Sequence, residues 1–188
     1  MGAQIRAGPA SISSPYPWAV TDIAASVERA SAYLTEHPSE ARYRDSHARA
    51  SLSAGLRVEV DGPGGERLTT DMPKAIGGGA SMPSPGWYFR AAAAACVASL
   101  IGVRAAMTGV DLPDDAVVVT VDSESDDRGI LGLDDRIPAG ALSIRVVVGV
   151  HGGVPGRETI ESLASWAVEH CPVTDTAQRS VPIEVRLG

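Results

Sequence analysis

Ser84-Pro85-Gly86-Trp87-Tyr88-Phe89-Arg90, the run Ala91 to Ala95, Cys96 and the apolar stretch on to Thr108 decide how this chain folds. Ser84 suits a helix N-cap, Pro85 the first helical position and Gly109 the C-terminal stop. Between those signals the only strongly polar side chains are Arg90 and Arg104. A helix apolar around most of its circumference has to be buried on most faces. A bilayer span is the competing reading, but two arginines and amphipathic flanking elements argue against it. The stretch is therefore expected to be the central helix of a globular domain.

Working outward, every even position from Ala48 to Val60 is apolar, which is the period of a strand with one solvated face. Asp61 to Gly65 reads as a turn and Glu66 to Thr70 as a further strand. After the central helix, Ala116 to Val121 and Ala141 to Val150 are β-branched runs separated by an acidic loop, Ser123 to Asp135. Gly156 to His170 has Ile160, Leu163, Ala164 and Ala167 on one helical stripe, and Val181, Ile183, Val185 and Leu187 alternate as a closing strand. Ahead of all this, Ile23, Val27, Ala30 and Leu34 mark a short helix capped by Thr21 or Asp22 and stopped by His37-Pro38. Residues 1 to 17 show no periodicity and are expected to be a poorly ordered arm. The order predicts an α+β fold with a sheet curled around central helices. The expected division is residues 1–45 as arm and helical extension, and 46–188 as the main domain.

With 188 residues the chain has room for one domain and a substantial core. A net charge of −7 argues against a general nucleic-acid binder. The region Met1 to Pro17 lacks the charged start and apolar stretch of a secretory signal, so the expected location is cytoplasmic, with no membrane association. Two cysteines in such a setting are more often free or redox-active than a structural staple.

Cys171 follows Ala167 by four residues and so continues the apolar stripe of its helix, toward the helix that carries Cys96. That placement suggests a reacting thiol pair. The plainer alternative is two small buried hydrophobes. If they react, their positions separate the roles. Cys171 is expected at a helix C-terminus, where the dipole disfavours a thiolate. Cys96 is mid-helix and free of that penalty. The expected attacking thiol is Cys96, with a cation nearby, and Cys171 is the resolving thiol.

Gly77-Gly78, Pro85, Ala94-Ala95-Cys96 and Cys171-Pro172-Val173, in that order, resemble the OsmC/Ohr family of osmotically inducible and organic hydroperoxide resistance proteins. The resemblance covers roughly Ala48 to Leu187. It implies an OsmC-like fold in which an antiparallel sheet wraps two central helices in an intertwined homodimer. It also implies reduction of organic hydroperoxides through the Cys96/Cys171 pair, with an external dithiol reductant and no cofactor. In the family an arginine from an early strand region and a glutamate at the start of the central helix hold the thiolate. The glutamate's position, ten residues before Cys96, is Gly86 here. Arg57 is the nearest match for the arginine, Arg49 shares its strand face, and Arg90 is a third candidate, roughly 120° from Cys96 around the helix. Arg57 and Arg49 read equally well as members of a solvated sheet face. With Gly86 in place, a second function stays open: a non-peroxidatic protein of this fold that binds a small apolar ligand at the dimer interface.

Other constellations point to structure. Asp122 to Asp127 superficially resembles a calcium loop, but Asp127 stands where glycine is required and Leu133 where a carboxylate is. The four histidines have no zinc-ligand spacing. Gly77-Gly78-Gly79 is not followed by a phosphate-binding Lys-Ser/Thr pair and reads as a backbone turn. Trp87, Tyr88 and Phe89 are expected to pack in the core or dimer, or to line an apolar pocket.

Overall fold

The computed structural model describes residues 22–113, 115–152 and 155–188, so the expected N-terminal arm and Thr21 lie outside the described residues. Helix α1 (Ile23–Glu36) begins where Asp22 caps it, its carboxylate accepting the Ala25 N–H at 3.0 Å. It packs against α2 (Pro85–Thr108), the expected central helix. Each end signal of α2 works as the sequence implied. Ser84 Oγ accepts the Trp87 N–H, Pro85 opens the first turn, and Gly109 closes the helix at φ 68° in the left-handed region.

Ahead of α2 lies a three-stranded antiparallel meander, β1 (Arg49–Leu52), β2 (Val58–Asp61) and β3 (Arg67–Thr70). The alternation from Ala48 to Val60 does not form one strand. Gly55 at φ 68° turns the chain back, and Leu52 pairs with Val58 across the resulting hairpin. The alternation continues through the turn because both strands happen to be in phase, so period alone hid the reversal. After α2, β4 (Val117–Glu124) and β5 (Ser143–Val150) form a second, two-stranded antiparallel sheet. The intervening acidic loop contains a short helix, α3 (Asp127–Ile130). Its carboxylates are engaged by arginines: Asp126 with Arg128, Asp134 with Arg136, and Asp122 with Arg145 on β5.

Helix α4 (Arg157–His170) lies along α2, and a further helix follows immediately, α5 (Pro172–Gln178). The core is the seam between α2 and α4. Val97, Ile101 and Ala105 from one helix meet Ile160, Leu163 and Ala167 from the other, with Cys171 at its end. By length and composition α2 could cross a bilayer. In this fold the stripe Ala93, Val97, Ile101 and Ala105 is buried against protein instead.

The loop leading into α2 is organised by Asp71, which is buried. Its carboxylate accepts the N–H groups of Met72, Gly79 and Ser81 and the Ser81 hydroxyl. Those bonds hold its carboxyl down at about 2, the Ser81 backbone and side chain contributing most. The glycine run is indeed a turn. Gly77 sits at φ 90°, and a Cβ on Gly78 would lie 1.9 Å from the Met72 carbonyl oxygen.

The closing strand expected at Val181 to Leu187 does not form. Residues 180–188 carry no regular structure, and Ile183, Val185 and Leu187 are 89%, 85% and 100% exposed. An alternating apolar segment becomes a strand only when it pairs with a sheet edge, and within one chain this one pairs with none. All four residues of β1 are exposed as well.

Candidate active site: a hydrogen-bonded thiol pair

Helix α2 places Phe89, Ala93 and Cys96 along one face at i, i+4 and i+7 spacing. Cys96 is half-buried on the flank of the core stripe. Cys171 is wholly buried at the junction of α4 and α5. Its backbone is extended (φ −76°, ψ 118°), the conformation that a following proline imposes, so Pro172 ends α4 and starts α5. The Thr174 hydroxyl lies 2.6 Å from the Val168 carbonyl oxygen and 3.2 Å from that of Cys171, tying the helix end to the new helix start. The Asp175 N–H donates to the Cys171 carbonyl at 2.9 Å.

This junction brings the two sulfurs into hydrogen-bonding contact as free thiols. The Cys96 thiol is pushed up to about 11, first by burial, then by its hydrogen bond to Cys171 and by the charge that Cys171 carries when ionised. Cys171 moves the other way. Burial opposes its ionisation, but the Thr174 N–H, the Cys96 S–H and the Val173 N–H together pull it below the ordinary thiol value. Of the two, Cys171 is the thiol that ionises more readily and Cys96 the one that holds its proton longer. The helix-end field at Cys171 favours the thiolate instead of opposing it. Cys171 does end α4, but its sulfur faces the opening N–H groups of α5, a helix the sequence reading missed. Pro172 was the available signal, since a proline that stops one helix is also well placed at the first position of the next.

Among the described residues, none of the candidate arginines forms an ion pair or hydrogen bond with either cysteine. Nor, among them, does any arginine or lysine contribute to the shift of either thiol. Arg57 lies just before β2 and is 3.8 Å from the Glu59 carboxylate, both side chains well exposed. Arg49 is exposed on β1, opposite Asp61 in register. Arg90 is half-buried and its Nη1 donates to Ser123 Oγ at 3.3 Å. His170 stacks on Trp166 at 4.2 Å, with Arg104 above the same indole at 5.0 Å. Among the described residues no His, Cys, Asp and Glu group has the arrangement to hold a metal ion.

Beside the thiols lies a cavity of about 330 Å³. Phe89 and Ala93 from α2, Leu142 and Ile144 from the β5 side, and Val173 and Thr174 from α5 contribute to its wall. Ala93 is one turn from Cys96, and Val173 supplies one of the N–H groups that reach the sulfurs. The cavity is predominantly apolar, and neither cysteine is part of its wall.

Comparison with known proteins agrees with this architecture. Solved structures with the same fold include an OsmC-like protein from Mycoplasma pneumoniae (TM-score 0.60, 15% identity, covering 73% of this chain and 89% of the other). An organic hydroperoxide resistance protein from Elizabethkingia anophelis, with crystallant-derived thiocyanate bound, matches at TM-score 0.58 and 16% identity over 73% of this chain and 90% of the other. The organic hydroperoxide resistance protein OsmC from Legionella pneumophila matches at TM-score 0.55 and 23% identity over 73% and 91%. No curated protein sequence matches the chain. The family profile described as OsmC-like protein matches residues 77–186, from the glycine turn through both cysteines to the C-terminal segment, and the chain belongs to that family.

Proposed function

We propose that this OsmC-like protein is a thiol-dependent peroxidase that reduces a small organic hydroperoxide. The observation that carries the reading is the hydrogen-bonded pair of free thiols, Cys96 on α2 and Cys171 at the α4–α5 junction, beside an apolar cavity. Cys96 is the more accessible sulfur and meets the substrate. Cys171, already biased toward the thiolate, takes the Cys96 proton as attack begins. The Cys96 sulfur bonds to the distal oxygen of the hydroperoxide, the O–O bond breaks, and the departing alkoxide takes that proton to leave as the alcohol. Cys96 is then a sulfenic acid. The Cys171 thiolate attacks its sulfur, hydroxide leaves and takes a proton from solvent to become water, and a Cys96–Cys171 disulfide remains for an external dithiol to reduce. In this mechanism the Cys171 thiolate does the activating that the family assigns to an arginine and glutamate, and Arg57 has no direct role. The reaction suits the cytoplasm, where dithiol reductants keep the pair reduced.

We also propose that the working form is a homodimer in which sheet strands are shared between copies. The support is the exposed alternating segment Val181 to Leu187, which pairs with no strand in one chain, together with the open outer edge of β1, whose other edge is taken by β2. Sharing them would join the two small sheets into a larger one around the paired α2 and α4 helices.

Gly86 favours a second reading, a protein that keeps the fold and binds a small apolar ligand without peroxide chemistry. Consumption of cumene hydroperoxide by the reduced protein, with a dithiol present, decides between them. Turnover that is lost in Cys96→Ser supports the peroxidase. Two thiols that stay reduced in excess hydroperoxide leave the binding protein.

A further inference from the structure

Arg90 is a half-buried guanidinium with no carboxylate partner among the described residues. Among the described residues it belongs to none of the ion pairs, and the one side-chain acceptor it reaches is Ser123 Oγ. Arginine carries five N–H donors in a planar fork, so most of its capacity is left over. The nearby acids do not use it. Asp122 and Glu124 flank Ser123 on β4 and alternate onto the opposite sheet face, where Asp122 is bound to Arg145 at 2.8 Å.

One helical turn before Arg90 stands Gly86. A Cβ built there would lie 3.7 Å from Arg90 Nη1 and 3.9 Å from Ser84 Oγ. A carboxylate side chain at position 86 would therefore reach the guanidinium, as i, i+4 pairs on a helix do. Glycine leaves that space open to an outside carboxylate. Neither Gly86 nor Arg90 lines the cavity itself, but their neighbours do. Ser123 stands directly opposite Ile144 in the β4–β5 register, so the two side chains share a sheet face, and Ile144 lines the cavity with Phe89, the residue before Arg90.

We propose that Arg90, the notch at Gly86 and the cavity behind Phe89 form a binding site for a compact organic carboxylate. The apolar body occupies the cavity and the carboxylate lies in the guanidinium fork, a bidentate geometry that a neutral amide cannot reproduce. At about 330 Å³ the cavity is at the small end of ligand sites, which fits a short aromatic or branched acid. A net charge of −7 repels anions from the molecule at large, so the local cation sets the preference. The proposal rests on reading the cavity beside the thiols as the place where the small molecule sits, and it names the chemical class of that molecule.

The test is equilibrium binding of benzoate and of benzamide to the reduced protein, read by ligand-observed NMR with no hydroperoxide present. Wild type is expected to bind benzoate and to hold benzamide at least about tenfold more weakly, the ratio that one charge-assisted contact supplies. Arg90→Gln should lower benzoate affinity by about tenfold or more and erase the preference. Gly86→Glu should do the same by supplying its own carboxylate to Arg90. No benzoate binding to wild type, equal binding of the two probes, or undiminished benzoate binding in both variants would overturn the proposal. Because the readout needs no thiol chemistry, benzoate selectivity without hydroperoxide turnover would count against the peroxidase reading alone.

Discussion

Cys96 donates its thiol hydrogen to Cys171 across the seam between the central helix and the α4–α5 junction, and the two sulfurs shift in opposite directions as a result. Cys96 is held up at about 11 while Cys171 falls below the ordinary thiol value of 9.0. An interacting pair of this kind titrates as a unit, in two macroscopic steps.

The first prediction follows from that coupling. Thiolate absorbance in the ultraviolet should rise in two separated steps, the first below 9 and the second near 11. In Cys171→Ser the remaining thiol loses its acceptor and the opposing charge, so its step should move down from 11 while burial keeps it raised. Two thiols ionising together at the ordinary value would show that the hydrogen bond does not persist in solution.

Asp71 makes a prediction about acid stability. Its carboxyl is held at about 2 when folded, against a reference near 3.8, so it stabilises the folded state at pH values above the reference. That contribution fades as pH falls through the interval between those two values. Asp71→Asn should lower the melting temperature at neutral pH, and its deficit relative to wild type should shrink as pH falls toward 2. A deficit that stays constant over that range would mean the carboxylate charge is not what organises the glycine loop.

The path of the chain into α2 was legible in the sequence because its signals are local: a serine cap, a proline at the first turn, glycines in a tight turn. The features that were missed depend on partners distant in sequence or absent from the single chain. The hairpin at Gly55 was concealed by two strands in phase, α5 by a proline read only as a stop, and the unformed strand at Val181 to Leu187 by the assumption that an alternating segment finds an edge. At the site, the stripe logic correctly directed Cys171 toward α2. Which thiol is the more acidic was not legible, because it depends on N–H groups of α5.

Packing predictions are sharper. Ile101 is 1% exposed in the α2–α4 seam, and Ile101→Ala should cost about 2–5 kcal/mol of stability in chemical denaturation. Gly78→Ala should also destabilise, because its Cβ would meet the Met72 carbonyl, a backbone atom that cannot move aside without shifting the whole turn. Wild-type stability in Gly78→Ala would contradict the tight approach.

Assembly can be tested through the C-terminal segment. Ile183 and Val185 are exposed in one chain, so in a strand-sharing dimer Ile183→Lys should impair association in light scattering at micromolar concentration. A wild type that is a folded monomer at that concentration would remove the case for shared strands.

The most direct measurement of the account is the fate of the two thiols under stoichiometric cumene hydroperoxide, followed by mass spectrometry under non-reducing conditions. Both free thiols should be lost to one intramolecular Cys96–Cys171 bond, Cys96→Ser should not be oxidised, and Cys171→Ser, without its activating thiolate, should react once, more slowly than wild type, and stop as a sulfenic acid at Cys96. Wild-type protein with both thiols still reduced, or oxidation that begins at Cys171 in Cys96→Ser, would contradict it.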